Sequence, residues 1–367
     1  MRGNAKNILF VSHSTSLHGA EMVGLEIIKI LKKNGCNVFV LFPLAASYDR
    51  FEQQIRAELG DDQILKLPYK NAGNGIIRDI FVSIYNYKTL KTLVKFCKQN
   101  KINAIFSNTY TSIIGIELSK RLLIPHFWHF HEQANKNFGW YNSMQIEYKR
   151  RLNYTKNSVI FISKGQKQQW EDKLGNINGC VVYNPIRNIK EKKILTQYPL
   201  TFGFIGSFDN RKNLSLLLNA YSQLRAHNHN IKLVIAGAKN EDEIQNTYNS
   251  FRNLEIEILP YTDANEFFNK IDVLVLPSES ETMPLVVFEA IQAKVAVIQT
   301  NHSFIKELLS NKETLFIEPD IDELIDAMIR VEDCQFRENV VHNAFLKLQE
   351  YNFNTNFEAK IIDLLCV

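Results

Sequence analysis

Two carboxylates with seven residues between them, Glu281 and Glu289, flank a proline in the segment DVLVLPSESETMPLVVFEAIQA (272–293). The segment reads as an apolar strand, a polar loop and a helix. Pro284 suits the first turn of that helix, because the amide that proline lacks would be unpaired there anyway. The amides of Leu285 and Val286 then point out of the helix N-terminus. With the helix dipole they make an anion site suited to a diphosphate. Carboxylates repel a diphosphate, so Glu281 and Glu289 are expected to accept hydrogen bonds from hydroxyls instead. A nucleotide sugar offers hydroxyls on both sides of its diphosphate, on the ribose and on the transferred sugar. The plain alternative is an acid-rich, solvated helix start, since acids are favoured at that position.

Three further segments could serve the same chemistry. In FGFIGSFDNRKNLSLLLNAY (202–221) a strand ends at Gly206 and a short loop carries Arg211 and Lys212 to a helix start. Two cations there could balance a departing diphosphate; alone, they read equally as an exposed basic pair. In VSHSTSLHGAEMVGLE (11–26) a strand runs into a polar loop with Gly19 at a helix start. Glycine there lets a backbone approach a ligand closely. The spacing is not Gly-x-Gly-x-x-Gly, which argues against a dehydrogenase. In PHFWHFHEQ (125–133), His129 and His131 share one face of an alternating strand and His126 lies on the other. Structural histidine, a ligand contact and a metal site are all open to that pattern; no second ligand cluster accompanies it.

These loops need elements to hold them. Strand-like runs at 7–12, 37–42, 104–107, 126–131, 159–163 and 181–183 are followed by a second series at 201–206, 232–237, 255–259, 273–277, 295–300 and 315–318. Most are short, apolar and rich in β-branched or aromatic residues, as in strands buried on both faces. Amphipathic helical stretches lie between them; in 213–224, Leu214, Leu217, Leu218, Tyr221 and Leu224 form one stripe. Alternation of this kind predicts α/β architecture: two doubly wound, Rossmann-like domains facing a central cleft. We place them at 1–187 and 188–350, with a further helix at 351–367.

Composition adds limits. The five cysteines are scattered, without CxxC or Cys/His pairing, which argues against a disulfide framework or zinc site and fits a reducing cytosol. The apolar run near residue 10 is too short for a signal-peptide core. No stretch approaches the ~18–20 apolar residues that span a bilayer. Residues 1–190 carry 27 Lys and Arg against 13 Asp and Glu, a net +14, whereas residues 191–367 carry 16 against 26, a net −10. In 87–101, Lys88, Lys91, Lys95 and Lys98 fall on one helical stripe, and 137–151 mixes Phe138, Trp140 and Tyr141 with Lys149, Arg150 and Arg151. Cations beside aromatics suit an anionic membrane surface; solvated faces of ordinary helices are the alternative. No nucleic-acid-binding motif accompanies the basic half, so nucleic acid is not expected as a partner.

Taken in order, the motifs resemble glycosyltransferase family 4, retaining enzymes with the GT-B fold, over nearly the whole chain. ESETMPLVVFEA, with Glu281 and Glu289, is similar to the family's E-x7-E motif, HGAE (18–21) to its glycine-rich first loop, and GSFDNRKN (206–213) to its phosphate-binding segment. ISKGQK (162–167) and VVYNP (181–185) resemble the close of its first domain, and His131 stands where the family places a cleft histidine. The resemblance implies that Lys212 binds the donor diphosphate, with Gly206, Arg211, Met283, Pro284, Leu285 and Val286 around it. It implies that Glu281 contacts the transferred sugar, Glu289 the ribose, and His131 the donor sugar. Gly19 would admit the diphosphate, and the final helix would cross back to the first domain. Ser207 stands where the family often has arginine, a role Arg211 could take, Thr-Met-Pro follows Glu281 in place of a glycine-rich loop, and Lys294 replaces a usual glycine.

The implied activity is transfer of a sugar from a UDP- or GDP-sugar to a glycan or lipid-linked hydroxyl, with retention, in cell-surface polysaccharide or glycolipid assembly. A donor phosphate oxygen would receive the acceptor's proton, and no metal or other cofactor is required. The expected setting is the cytoplasm, peripheral to the membrane's inner face. The rival readings are a nucleotide-sugar epimerase of the same fold and a non-catalytic glycosyltransferase-like partner subunit.

Overall fold

Runs of β-branched and aromatic residues form strands here because each is covered on both faces by helices, so nothing is gained by alternating polar positions. The computed structural model describes residues 6–44, 49–71, 76–134, 148–191, 199–238, 242, 254–260 and 262–366. The chain divides into two units, one of Met1–Pro185 with Phe353–Val367, the other of Ile186–Asn352.

The first unit holds seven parallel strands: β1 (Asn7–Val11), β2 (Asn37–Pro43), β3 (Ile64–Leu67), β4 (Ala104–Asn108), β5 (His126–Phe130), β6 (Asn157–Phe161) and β7 (Gly179–Val181). Their order is β3-β2-β1-β4-β5-β6-β7. Its helices are α1 (Gly19–Lys33), α2 (Arg50–Leu59), α3 (Ile76–Gln99), α4 (Ile113–Leu122) and α5 (Lys164–Leu174). Strand β3 was not legible as a strand. It lies at the sheet edge, all four residues are only half-buried, and Lys66 interrupts its apolar run to pair with Glu52 at 2.9 Å. The core is aromatic around β5 and β6, where Trp128, Phe130, Tyr148, Phe161 and Trp170 are fully buried.

Helix α3 turns Leu90, Leu93 and Cys97 into the core and leaves Lys88, Lys91, Lys95 and Lys98 exposed. Arg151 departs from the expected basic surface: its side chain is 3% exposed and its Nε lies 3.1 Å from Glu117 Oε1. Phe138, Trp140 and Tyr141 lie outside the described residues. No helix among the described residues is long and apolar enough to cross a membrane.

The second unit holds β8 (Leu200–Ile205), β9 (Ile231–Ala236), β10 (Ile256–Leu259), β11 (Val273–Leu276), β12 (Ala296–Thr300) and β13 (Leu315–Ile317), all parallel, in the order β10-β9-β8-β11-β12-β13. Its helices are α6 (Leu214–Ala226), α7 (Ala264–Phe268), α8 (Leu285–Gln292), α9 (Ile321–Arg330) and α10 (Cys334–Gln349). The predicted stripe of α6, from Leu214 to Leu224, packs with Phe202, Phe204 and Leu233 of the sheet. A last helix, α11 (Phe353–Leu365), belongs to the first unit. Glu358 pairs with Lys33 of α1 at 2.8 Å, Phe353 packs edge-on against Tyr183, and the free thiols of Cys366 and Cys36 lie 3.4 Å apart.

In each sheet the strand order reverses once, between β1 and β4 and between β8 and β11. Loops leaving the carboxyl ends of two such strands diverge, and open a crevice where ligands bind in sheets of this kind.

Candidate active site

At the second unit's reversal, β8 ends beside Gly206, whose amide donates to Ala236 O at 3.1 Å. Asp209 organises the loop that follows. It accepts hydrogen bonds from the Ser207 hydroxyl (2.5 Å) and the Lys212 amide (3.2 Å), capping the 3-10 turn Asn210–Lys212. Burial resists ionisation of Asp209, but that hydroxyl, the Arg211 charge and the Lys212 amide outweigh it and hold the group below the usual carboxylate range. Asn213 then takes a left-handed conformation (φ 52°), which asparagine tolerates better than most residues, and α6 begins. The turn aims the Lys212 ammonium at the β11 loop, where it forms an ion pair with Glu281.

The β11 loop is held by backbone bonds on both sides. Glu279 N–H donates to Arg211 O at 2.9 Å, Glu281 N–H to His302 O at 3.3 Å, and Phe304 N–H to Thr282 O at 3.0 Å. Met283 is buried. Pro284 is the N-cap of α8 rather than a residue of its first turn, so the helix starts one residue later than expected. The amides of Leu285 and Val286 are its first two and have no intrahelical acceptor.

Glu289 stands in the second turn of α8, 3% exposed, and both its oxygens accept from Arg187: Nε to Oε1 at 2.6 Å and a terminal nitrogen to Oε2 at 2.7 Å. Arg187 was missed in the sequence. The available signal was that a buried carboxylate requires a cation, yet burial of Glu289 was not readable from its neighbours. Arg211 is 55% exposed and its Nε is 3.9 Å from Asp209, not at the Lys212–Glu281 pair. Lys294, in place of a glycine, does adopt φ 58° and closes α8 with bonds from Lys294 N–H to Ile291 O and Val295 N–H to Ala290 O. Its ammonium pairs with Glu191.

Gly19 and His131 belong to the first unit. Gly19 opens α1, and a side chain there would meet nothing within 4 Å, so packing does not demand glycine. His131 Nε2 lies 2.9 Å from Asn108 Oδ1, and burial pushes its pKa well below the ordinary value. The rings of His129 and His131 stand 4.1 Å apart, while His126, on the other face, bonds Ser107 and Asn157. A buried acid, Glu21, and a half-buried one, Glu132, adjoin this cluster. Glu132 accepts from the amides of Tyr110 and His131, and Glu21 from the amide of His18; burial raises each to about 7. No group of three or more His, Cys, Asp or Glu among the described residues is arranged to hold a metal ion.

A cation, a carboxylate and a helix N-terminus at the reversal point of a parallel sheet are groups chemically suited to a phosphate ester bearing hydroxyls. Comparison with known proteins bears on which one. Residues 185–347 match the family of glycosyl transferases group 1. Those residues cover the candidate site of the second unit. An uncharacterized glycosyltransferase of Haemophilus influenzae is 23% identical over 331 residues, 87% of this chain and 88% of that relative. The capsular polysaccharide biosynthesis glycosyltransferase CapM of Staphylococcus aureus is 27% identical over 169 residues, 44% of this chain and 43% of its own. Among solved structures, Anabaena HepE in complex with UDP-glucose superposes with a TM-score of 0.79 at 16% identity, covering 98% of this chain and 99% of HepE. TarM superposes at 0.77 and 12% identity, covering 99% of each chain. The fold is GT-B: two Rossmann-like α/β units, as expected from the alternation of strands and helices.

Proposed function

We propose that the protein is a glycosyltransferase that moves a sugar from a UDP- or GDP-sugar to a hydroxyl of a glycan or lipid-linked acceptor, with retention at the anomeric carbon. Its setting would be cell-surface polysaccharide or glycolipid assembly. The observation that carries this reading is the meeting of Lys212 with Glu281 at the β8/β11 reversal, four residues ahead of the first amide of α8. The group 1 family match supports the class of reaction, the UDP-glucose bound to HepE the class of donor, and the name of CapM the setting.

As the bond from the anomeric carbon to phosphate oxygen breaks, positive charge grows on the sugar and negative charge on the leaving diphosphate. Lys212 and the amides of Leu285 and Val286 oppose the latter charge from fixed positions, which is where electrostatic catalysis gains most. A diphosphate that takes Lys212 as its counter-ion frees Glu281 to accept hydrogen bonds from the transferred sugar. Glu289, oriented by Arg187, would take the ribose hydroxyls, while Gly19 and His131 serve the diphosphate and the donor sugar. These groups do the work of a metal, so chelation should leave transfer largely intact.

The first unit would rest on an anionic membrane. Phe81 and Ile84 are each 66% exposed on α3, Tyr85 and Tyr87 are half exposed, and Lys88, Lys91, Lys95 and Lys98 follow on the same helix. Lys70 lies over Tyr85 and Lys91 over Tyr87, 4.9 and 4.6 Å from the ring centroids. Apolar and aromatic groups interleaved with cations suit a headgroup layer, each cation adding ~1 kcal/mol there.

A panel of nucleotide sugars tests the reading. The true donor at 100 times its Kd should stabilise the protein by ~2.7 kcal/mol, and adding acceptor should release nucleoside diphosphate. Turnover of donor alone into an isomeric nucleotide sugar would mean an epimerase, and binding without turnover a non-catalytic subunit. Stabilisation by no nucleotide sugar overturns the proposal.

A further inference from the structure

The last helix returns to the first unit after the chain has built the whole of the second. Phe353, Phe357, Ile361 and Leu365 fall four residues apart along α11 and are all buried, which makes one narrow apolar stripe. Beside that stripe the helix has three distinct attachments. Phe353 meets Tyr183 at its start, Glu358 pairs with Lys33 in its middle, and Cys366 meets Cys36 just beyond its end. The ion pair is largely solvated and holds little.

The thiol contact differs in kind, because it can become covalent. The two Sγ atoms lie 3.4 Å apart across 330 residues of chain, and both thiols are free. A disulfide bond is ~2.05 Å long, so the sulfurs have about 1.4 Å to close. Neither residue stands inside a regular element. Cys36 lies between Gly35, at φ 79°, and the first residue of β2, and Cys366 follows the last residue of α11. Their amides are fixed, Cys36 N–H to Leu31 O at 3.0 Å and Cys366 N–H to Ile362 O at 2.8 Å, so side-chain rotation is what brings the sulfurs together. Cys36 precedes β2, at the amino edge of the parallel sheet, whereas Gly19 and His131 stand at the carboxyl edge. The pair is therefore separate from the candidate site residues of the first unit.

We propose that Cys36 and Cys366 form an oxidation site: hydrogen peroxide joins them in a disulfide that locks α11 to the first unit, and a dithiol releases it. Cys366 is half-buried and Cys36 buried, so peroxide reaches Cys366 first. Its sulfur attacks the O–O bond and becomes a sulfenic acid, and one water leaves. The Cys36 sulfur then attacks the Cys366 sulfur, the S–S bond forms, and a second water leaves. The two thiols have lost two electrons and two protons, and the peroxide has been reduced to two waters. A dithiol reverses the step by exchange and ends as its own disulfide.

Burial, then the adjoining Cys36 thiol, pushes Cys366 up to about 12, with Lys6 opposing. Thiolate is scarce near neutral pH, so closure is slow and answers to sustained rather than brief oxidation. In a reducing cytosol the pair stays open. Once formed, the bond closes a loop that contains all of Ile186–Asn352, and α11 can no longer leave the first unit when its other contacts loosen. The inference does not depend on the glycosyltransferase reading.

The test exposes the full chain to hydrogen peroxide, in a Cys334→Ser background that removes the exposed thiol. The protein is then alkylated and digested without reductant, and its peptides are weighed. A peptide pair linked through Cys36 and Cys366 should accumulate over hours in monomeric protein and disappear with dithiothreitol. The linked protein should melt ~5 °C or more above the reduced protein, because the bond restricts the unfolded chain. Cys366→Ser should melt like the reduced parent and show neither link nor shift after peroxide. The measurement on the parent chain stands whether or not that variant folds. Cys366 that remains open to alkylation after hours overturns the inference, as does its conversion to sulfinic acid without a link. So does a link from either residue to Cys97 or Cys180, a link between two molecules, or a Cys36–Cys366 link that leaves the melting temperature unchanged.

Discussion

The ammonium of Lys212 and the carboxylate of Glu281 form an ion pair between loops that leave β8 and β11, strands adjacent in the sheet but far apart in the chain. The pair is mostly covered, at 20% and 15% exposure. Lys212→Ala and Glu281→Ala are each expected to reduce transfer at least ~100-fold, the scale of losing one preorganised stabiliser. Initial rates with the donor found by the nucleotide-sugar panel check this; near-normal turnover in both variants would remove these residues from the site.

Arg187 holds Glu289 by two parallel bonds, yet is itself 42% exposed. Replacing it by alanine leaves a buried carboxylate without its guanidinium. The expected cost lies between that of exposed and buried pairs, about 1–3 kcal/mol. Arg187→Lys should recover little, because an ammonium cannot form the bidentate fork. Chemical denaturation measures the first effect, and a raised KM for the donor in both variants would tie Glu289 to nucleotide binding.

Two glycines separate stability from binding. Gly237 adopts φ +110°, and a Cβ there would lie 2.3 Å from Gly206 O. Gly237→Ala should destabilise by about 2 kcal/mol or more, from backbone strain and overpacking, and weaken donor binding by shifting the β8 loop. Gly19→Ala meets nothing within 4 Å and should leave the melting temperature nearly unchanged. If a diphosphate approaches that backbone, the same variant weakens donor affinity; a titration with UDP reads both.

Acid should destabilise the first unit. Burial lowers His126 and His129 to about 3, below their ordinary value of 6.5. Because the folded-state value is depressed, this contribution is complete above pH 6.5 and is lost as pH falls toward 3. The melting temperature is therefore expected to fall as pH is lowered from 6.5 to 4. His129→Leu should flatten the slope, since both ring nitrogens of His129 are buried without a hydrogen-bond partner. An unchanged slope would show that these rings are not what acid attacks.

Membrane contact by α3 predicts co-sedimentation with vesicles rich in anionic lipid, weakened by salt and absent with neutral vesicles. Phe81→Ser with Ile84→Ser should abolish it without lowering the melting temperature, since each side chain is 66% exposed. Equal binding to neutral and anionic vesicles, or none at low salt, would reject the contact.

Much of the architecture is written in local patterns. Apolar runs bounded by turns mark β1, β2, β4, β5, β8, β9, β11, β12 and β13, because a strand covered on both faces needs only a short apolar stretch, whereas edge strand β10 shows itself by alternation, Ile256 and Ile258 inward and Glu257 exposed. Edge strand β3 escapes that rule: its half-buried residues need not be uniformly apolar, and Lys66 serves Glu52 instead. The residue types of the candidate site were also legible, since a carboxylate before a helix start and a lysine after a strand imply chemistry by kind and spacing. Their partners were not. Arg187 meets Glu289 across 102 residues and Lys212 meets Glu281 across 69. Strand order decides which distant loops converge, and burial decides how strongly their charges interact; both arise only when the sheets assemble.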